Sequence, residues 1–432
     1  MSRFDLLGVL APFQVKSFRF QWPADLLTSW AFEMETLILG WYVLVETESV
    51  LWLTAFGALQ FLGSLIAPLI GVVADHVGRR AVLCSTRGLF MILAALLMTL
   101  GLADALSPTV VLCIALIFGL ARPSDSVMRN ALIADTVPGG ILMNAIGLSR
   151  MTMDSSRIAG ALAGAGLFAV LGFVPAYVVV TGFYAVALTL TLGVARPRQV
   201  EADQLNTDAD TQPGAQQTQG PGRRFAPWQE LKEGMAFVWQ SPTVLAFLCL
   251  AALLNITVFP IVFGLLPYVA REVYGLDQIG LGHLVAAFAG GALIGSLIMA
   301  MTGGARRPGR YVLVGMLVWY VLILIFAQQE SKLPGVGMLA LIGMAQGTVM
   351  VTMAVIVLRV TPAQFRGRVM GVRMLAVYGL PTGLMGYGVL IEWIGFSSAI
   401  SLSAVIGLLM TGVIGFRWRG VIWGQRTGES VR

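Results

Sequence analysis

The chain has 432 residues, of which 57% are hydrophobic and only 12% are charged, and its formal net charge is +6. Soluble domains usually carry about 25% charged residues, so this composition excludes an ordinary water-soluble domain and indicates a protein surrounded mainly by lipid. The three cysteines and two histidines are too few and too scattered for a disulfide framework or a zinc site. We therefore expect no metal and no other cofactor.

Twelve apolar runs are long enough to cross a membrane. A bilayer core needs about 20 apolar residues of helix, and a helix satisfies its own backbone hydrogen bonds where water is absent. The runs cover 20–45, 50–73, 82–103, 108–128, 141–171, 174–194, 243–268, 281–301, 311–327, 335–358, 369–391 and 394–416. They predict an all-α integral membrane protein with twelve transmembrane helices.

Basic residues are distributed very unevenly over the loops. With the amino terminus on the inner side, only Arg271 and Lys332 of the 28 lysines and arginines fall in outer loops. Cytoplasmic loops are enriched in Lys and Arg, so the pattern predicts both termini in the cytoplasm and a bacterial inner membrane as the location. Anionic lipid headgroups are sufficient partners for this basic surface, so we expect no nucleic acid partner.

The first span carries the acidic residues Asp25, Glu33 and Glu35. At 100° per residue, Glu33 and Glu35 project about 200° apart and cannot face one cavity. A charge at mid-membrane costs roughly 2.5–3.5 kcal/mol or more, so such a carboxyl faces water, finds a partner or becomes neutral. All three are candidates for proton coupling. The alternatives are pairing with a buried arginine or a position nearer the outer surface.

The first inner loop reads "GVVADHVGRR" (71–80). The pattern G-x-x-x-D-x-x-G-R-R between the second and third spans resembles the loop signature of the major facilitator superfamily. The resemblance implies two six-helix bundles, related by a pseudo-two-fold axis, that rock about a central site. It also implies that Asp75 docks near the inner end of the eleventh helix, around Arg368, as a gate. The alternative is that the basic loop only anchors the topology. The gating candidates are Gly71, Asp75, Gly78, Arg79 and Arg80.

Charged residues also lie in the fourth and fifth spans. They form two mirrored ladders, Arg122–Asp125–Arg129 and Arg150–Asp154–Arg157. Residues three and four apart share one helix face, so we expect diagonal pairing. Asp125 would then contact Arg150 or Arg157, and Asp154 would contact Arg122 or Arg129. This seam would serve structure and gating; alternatively, Arg122 or Asp154 reaches the cavity.

The fifth span also carries spaced glycines. Gly147, Gly160 and Gly164 match the glycine pattern of antiporter branches of the superfamily, whereas Ser156, Ala161 and Ala165 depart from it. The resemblance favours export by exchange. The alternative is close helix packing through small residues.

A polar segment divides the apolar runs six and six. Residues 197–226 have no apolar period and predict a disordered loop, whereas "PWQELKEGMAFVWQSP" after it has the spacing of an amphipathic helix, with Trp228, Leu231, Met235 and Val238 on one face. The expected domains are an amino-terminal bundle (1–195), a cytoplasmic linker (196–241), a carboxy-terminal bundle (242–417) and a tail (418–432). Two six-helix repeats favour a transporter with its path between them.

The second half contributes few interior polar residues. Asn255, Gln346 and Tyr378 are its candidate cavity liners. An interior with so little charge favours a substrate with a large apolar surface. The strings "FRFQW", "GWYVL" and "EGMAFVW" resemble the drug and siderophore efflux branch of the superfamily.

These features predict a monomeric secondary transporter that exports a hydrophobic or amphiphilic small molecule in exchange for protons. Its expected partners are this substrate, protons and membrane lipids. Uptake or lipid movement on the same fold, or a sensor or assembly factor without transport, are the alternatives. We found no catalytic dyad, phosphate loop or metal cluster in the sequence, so we do not expect an enzyme.

Overall fold

The computed structural model describes residues 10–65, 74, 77–194, 227–302, 305, 307–362, 365, 369, 372 and 376–423. Within these residues the chain is helical and contains no strand. The main helices are α1 (Lys16–Thr47), α2 (Val50–Leu59), α3 (Arg79–Leu102), α4 (Pro108–Thr136), α5 (Gly139–Leu171), α6 (Phe173–Leu192), α7 (Pro227–Gln240), α8 (Pro242–Thr257), α9 (Gln278–Met301), α10 (Pro308–Ala327), α11 (Lys332–Val360), α12 (Gly379–Ile394) and α13 (Phe396–Arg417).

Each of the twelve predicted spans contains one of these helices, and α7 lies in the predicted linker. In the part of the chain that is described, 7 helices are long and apolar enough to cross a membrane, namely α3, α4, α6, α9, α10, α11 and α13. Helices α2 and α8 are apolar but shorter. The prediction of an all-α protein built from long apolar helices is confirmed within the described residues.

Two spans that the sequence predicts as continuous are broken. In the second span α2 ends at Leu59, a turn follows, and a 3₁₀ helix covers Leu62–Leu65. In the seventh span α8 is followed by short helical segments at Phe259–Phe263, Leu266–Tyr268 and Val269–Val273. Proline lacks an N–H and clashes with the preceding turn of helix, so Pro260 and Pro267 account for the breaks in the seventh span.

The amphipathic helix α7 packs on the carboxy-terminal half. Val238 is buried, and the ring of Phe237 stacks on that of Phe365 with 4.7 Å between centroids. Met235 contacts the same core. The side chains of Trp228 and Leu231, and the linker residues before 227, lie outside the described residues.

Two pairs of helices join the halves. Helix α5 packs on α9, and α2 packs on α12. These are the fifth, eighth, second and eleventh spans. In a protein with two six-span repeats, the second span corresponds to the eighth and the fifth to the eleventh. The pair of the fifth and eighth spans therefore corresponds to the pair of the eleventh and second. The contacts therefore follow the pseudo-two-fold axis.

Helices α9 and α11 approach each other at backbone distance. A Cβ atom added to Gly291 would lie 2.0 Å from the carbonyl oxygen of Ala340, and one added to Gly343 would lie 2.0 Å from that of Phe288. Only glycine permits this approach. The two helices therefore form a closely packed pair within the carboxy-terminal half.

Gly291→Ala should destabilise the protein by about 1–3 kcal/mol, because the new methyl group collides with backbone that cannot move away cheaply. Gly290→Ala is the matched control, since a Cβ atom there meets nothing within 4 Å. Thermal unfolding of the detergent-purified variants checks the prediction. Equal melting temperatures for the two variants would contradict it.

Candidate functional site: a central cavity and its carboxylates

A cavity of about 80 Å³ lies between the two halves. Helices α1, α2 and α5 form its wall on one side, and the broken seventh span and α9 form the other. Its lining is mainly apolar and includes the rings of Phe56, Phe263 and Phe288. The polar lining groups are Glu33, Thr36, Gln60 and Arg157.

Glu33 and Arg157 form an ion pair on the cavity wall. Arg157 Nε lies 3.7 Å from Glu33 Oε1, and both side chains are partly exposed. The guanidinium of Arg157 also lies over the ring of Phe263, 4.6 Å from its centroid, which is a favourable cation–π arrangement. Because Phe263 belongs to the opposite half, Arg157 connects the ion pair of α1 and α5 to the seventh span.

Small residues bring α5 against α1 at this point. A Cβ atom on Gly160 would lie 2.9 Å from the Cβ atom of Glu33, and one on Gly164 would lie 2.9 Å from the Cα atom of Met34. Gly147 is exposed and has open space around it. Two of the three predicted glycines therefore act in helix packing beside Glu33, and the third has no such contact.

Glu35 faces a different, smaller cavity of about 20 Å³. The side chain is buried, and its Oε2 accepts a hydrogen bond of 2.9 Å from the hydroxyl of Tyr184. Tyr177 lies beside the same carboxyl. Among the described residues, Glu35 Oε1 has no hydrogen-bond partner. As the helical spacing predicts, the two glutamates line different cavities.

Gln60 lies between the two cavities. It lines both of them, together with Thr36 and Phe56. Its side-chain oxygen accepts hydrogen bonds from Thr36 Oγ1 (3.1 Å) and from Arg122 Nη1 (3.3 Å). Arg122 in turn lies over the ring of Phe32, 4.9 Å from its centroid. Thus Arg122 lines the smaller cavity but not the central one.

Asp25 belongs to a buried cluster of two acids and two arginines. Arg87 pairs with Asp25 and lies 3.1 Å from Asp125, measured from Nε to Oδ1. Arg129 lies 2.6 Å from Asp125 and 3.4 Å from Asp25. All four side chains are at most 3% exposed. The cluster is electrically balanced and joins α1, α3 and α4.

Sequence reasoning missed Arg87, although a signal was present. It is a charged residue inside the apolar run of the third span, "VLCSTRGLFMILAALL". A charge at that depth requires a partner, and its partner is Asp25, which the sequence offered for proton coupling or for pairing with a buried arginine.

The predicted diagonal seam between the fourth and fifth spans is wrong. Asp125 pairs with Arg129 of its own helix and with Arg87, while Arg157 pairs with Glu33. Arg150 and Asp154 pair with each other at 3.6 Å along α5 and are exposed. The reason is packing: α5 lies against α1 and α9 and makes little contact with α4, so the two ladders face different neighbours.

The three expected cavity liners of the second half do not line the central cavity. The amide of Asn255 donates to Ala251 O of its own helix. The hydroxyl of Tyr378 donates to Leu62 O of the opposite half at 3.1 Å. Gln346 lies on α11, and its buried oxygen has no partner in the described part of the chain. The sequence shows that these groups are interior, but it does not show which side of each helix meets the cavity.

Residues 27–386 match the Major Facilitator Superfamily. The chain belongs to this superfamily. It is similar to the MFS-type transporter YfiS of Bacillus subtilis (strain 168), with 23% identity over 320 residues that cover 70% of this chain and 69% of the relative.

Solved structures of the superfamily share the whole architecture. A bacterial homologue of the human lysosomal transporter Spinster, in an inward-facing and unoccupied conformation, aligns with a TM-score of 0.69 and 15% identity, covering 96% of this chain and 99% of the other. The nucleoside transporter NupG aligns with a TM-score of 0.67 and 14% identity, covering 95% and 100%. A D-xylose-proton symporter aligns with a TM-score of 0.63 and 12% identity, covering 95% and 97%. Identities this low establish the fold alone.

The superfamily loop is only partly described. Gly71, Asp75 and Arg368 lie outside the described residues, and the proposed docking of Asp75 lies there with them. Gly78 precedes α3 with φ of 97°, a conformation that favours glycine. Arg79 pairs with Asp135 of α4, and Arg80 donates to Leu192 O of α6. The two arginines therefore connect the start of α3 to neighbouring helices.

Arg87→Met should lower the stability of the protein by about 3–5 kcal/mol, because Asp25 and Asp125 then share the single cation Arg129 in a buried site. Arg150→Met is the matched control. It removes an exposed arginine from an ion pair with an aspartate and should cost at most about 1 kcal/mol. Thermal unfolding in detergent measures both, and similar losses would show that the buried cluster is not needed for stability.

Proposed function

We propose that this superfamily transporter exports hydrophobic or amphiphilic small molecules across a bacterial inner membrane in exchange for protons. The observation that carries the proposal is a mainly apolar cavity between the halves, near the buried carboxyl of Glu35, which has no ion-pair partner in the described part of the chain. The cavity supplies a place for the substrate, and the carboxyl supplies a place for the proton. Because one chain forms the whole cavity, we propose that the monomer is the working unit.

The cavity wall supports the substrate class. Aromatic and aliphatic side chains dominate its lining, as they do in most small-molecule sites. Its charged groups, Glu33 and Arg157, compensate each other. A highly charged solute would need uncompensated charge here, whereas an amphiphile can cover the apolar wall and place a polar group at the ion pair.

The environments of the three first-span acids support Glu35 as the proton carrier. Asp25 is paired with two arginines, and Glu33 is paired with Arg157. Glu35 accepts one hydrogen bond from the neutral hydroxyl of Tyr184, and it makes no ion pair with any described residue. Arg122 lines the same small cavity and faces Glu35, but no ion pair joins the two among the described residues. Glu35 can therefore bind and release a proton without breaking an ion pair, and burial beside a cavity places it where functional carboxyls are found.

Contacts at one end of the bundle support a closed outer side. Arg271 donates to Leu44 O at 2.9 Å and lies 3.7 Å from Glu48, which joins the seventh span to the end of the first. These residues lie at the predicted outer end. Rocking of the halves about the α5–α9 and α2–α12 contacts would break these bonds and open the cavity outward.

Glu35→Gln should abolish proton-driven transport while substrate still binds, because glutamine keeps the size and the hydrogen bond from Tyr184 but cannot exchange a proton. Glu46→Gln, an exposed change on the same helix, is the matched control and should keep transport. Everted vesicles with an acidic lumen measure both. They should accumulate substrate if the protein is a proton antiporter.

A proton symporter for uptake, the function named for the D-xylose relative, would instead lose luminal substrate under these conditions. Full gradient-driven transport by Glu35→Gln would exclude Glu35 as the coupling site.

The proposed orientation predicts which loops face the cell exterior. In a variant whose native cysteines are replaced, Leu333→Cys should react with an impermeant maleimide on intact cells, because Leu333 is 84% exposed in a predicted outer loop. Val77→Cys, at a position 62% exposed in the predicted inner loop, should react only after permeabilisation. The opposite labelling would mean that the chain is inserted the other way round.

A further inference from the structure

A proton can reach Glu35 through polar surroundings from one side, that of the smaller cavity. Phe32, Phe90 and Phe118 gather round the ring of Tyr184, with centroids 5.8, 5.8 and 6.2 Å from it. Phe90 and Phe118 stack on each other with centroids 5.0 Å apart. The three phenylalanine rings carry no group that can pass a proton, and they make the side of Glu35 towards α3 and α4 apolar. Tyr177 and Tyr184 of α6 face Glu35 with their hydroxyls, but both residues are fully buried and line neither cavity.

The open side is the smaller cavity. Its volume of about 20 Å³ exceeds the roughly 10–15 Å³ that one water needs. Its polar lining groups are Glu35, Thr36, Gln60 and Arg122, and Glu35 Oε1 is buried there without a protein partner. A water in this space would have the 2–4 polar partners that buried waters usually have.

Gln60, Thr36 and Phe56 form the partition between this space and the central cavity, since all three residues line both cavities. Gln60 and Thr36 are its polar members. The two donors Thr36 Oγ1 and Arg122 Nη1 hold the oxygen of Gln60. We propose that Gln60 controls proton passage between the central cavity and Glu35, through one water held in the smaller cavity. This inference rests on the proposed function, because it takes Glu35 as the proton carrier.

The proton balance is simple. A hydronium ion that reaches the central cavity from the acidic side of the membrane donates a proton to the water beside Gln60, and that water passes one of its own protons to Glu35 Oε1. One O–H bond breaks on the hydronium and one on the relay water, while one forms on the relay water and one on the carboxyl. Both waters are then neutral, and the reverse sequence restores the carboxylate. The titratable groups that face Glu35 are Arg122 from α4 and Tyr177 and Tyr184 from α6. None of them belongs to the turn after α2, where Gln60 is a neutral positioning residue.

The position of Gln60 links this passage to the movement of the halves. Gln60 follows the last residue of α2, at the break in the second span. The backbone there is held against α4, because a Cβ atom on Gly119 would lie 2.0 Å from Leu59 O. Two residues after Gln60, Leu62 O accepts the hydrogen bond from Tyr378 of the opposite half. When the halves rock, α12 pulls on this turn and moves the side chain of Gln60 relative to Glu35.

The test follows protonation of Glu35 directly. Purified protein in lipid vesicles, without substrate, is given a pH jump, and time-resolved infrared absorption records the carbonyl band of the protonated carboxyl. Gln60→Met keeps the side-chain length but removes the polar group. The carbonyl band should appear about tenfold more slowly, as expected when a proton relay loses a hydrogen-bonded partner. The final amplitude of the band should be unchanged.

Three further variants separate the possible explanations. Gln60→Glu retains an oxygen acceptor and should restore a rate close to the original. Leu39→Met changes the apolar lining of the smaller cavity and should not slow the band. Thr36→Val removes one donor to Gln60 and should slow it, which also provides a test if Gln60→Met does not fold.

Unchanged rates in both Gln60→Met and Thr36→Val would overturn the inference. Glu35→Gln reports on the proposed function separately. If it abolishes the band while Gln60→Met leaves the rate unchanged, the coupling site stands and the passage through Gln60 is wrong. If the band persists in Glu35→Gln, the coupling site itself is wrong.

Discussion

The cost of a charge away from water governs the arrangement of this protein. Within the membrane an ionised side chain must pair, face a water-filled space or become neutral. The three acids of α1 have different environments. Asp25 is balanced by Arg87 and Arg129, and Glu33 is paired with Arg157 on the cavity wall. Glu35 accepts a hydrogen bond from Tyr184 and has no ion-pair partner among the described residues. Their different environments give one helix a structural acid, a candidate substrate contact and a candidate proton carrier.

Small residues allow close packing of neighbouring helices and so fix the positions of these acids. The glycines of α9 and α11 bring two backbones into contact, and Gly160 and Gly164 place α5 directly against α1. The buried ion cluster also joins helices, because its ion pairs connect α1, α3 and α4. In the proposed transport cycle the two halves rotate about the α5–α9 and α2–α12 contacts. The breaks in the second and seventh spans then lie where the two halves meet.

The fold is shared with carriers of very different solutes, among them nucleosides and D-xylose. Function in such a family is therefore argued from the site and not from the architecture. Here the site combines an apolar cavity with a compensated ion pair, and it is separated by Gln60 from a second, smaller space in front of Glu35. Under the proposed function, this separation would let the substrate bind between the halves and the proton bind Glu35 of the amino-terminal half without competing for the same atoms.

The sequence by itself determined the number and type of spans, the major facilitator architecture, the amphipathic helix α7 and the opposed directions of Glu33 and Glu35. The spans, helix α7 and the directions of the two glutamates follow from apolar length and helical period, which are local properties, whereas the architecture follows from the resemblance of the 71–80 loop to the superfamily signature. Only the tertiary structure decided which arginine meets which aspartate. The partners of Asp125 come from α3 and α4 instead of α5, because the rotation of each helix is set by neighbours distant in the chain. The same holds for Gln60, an unremarkable residue in the sequence. It lies between two cavities because the second span breaks where glycine brings it against α4.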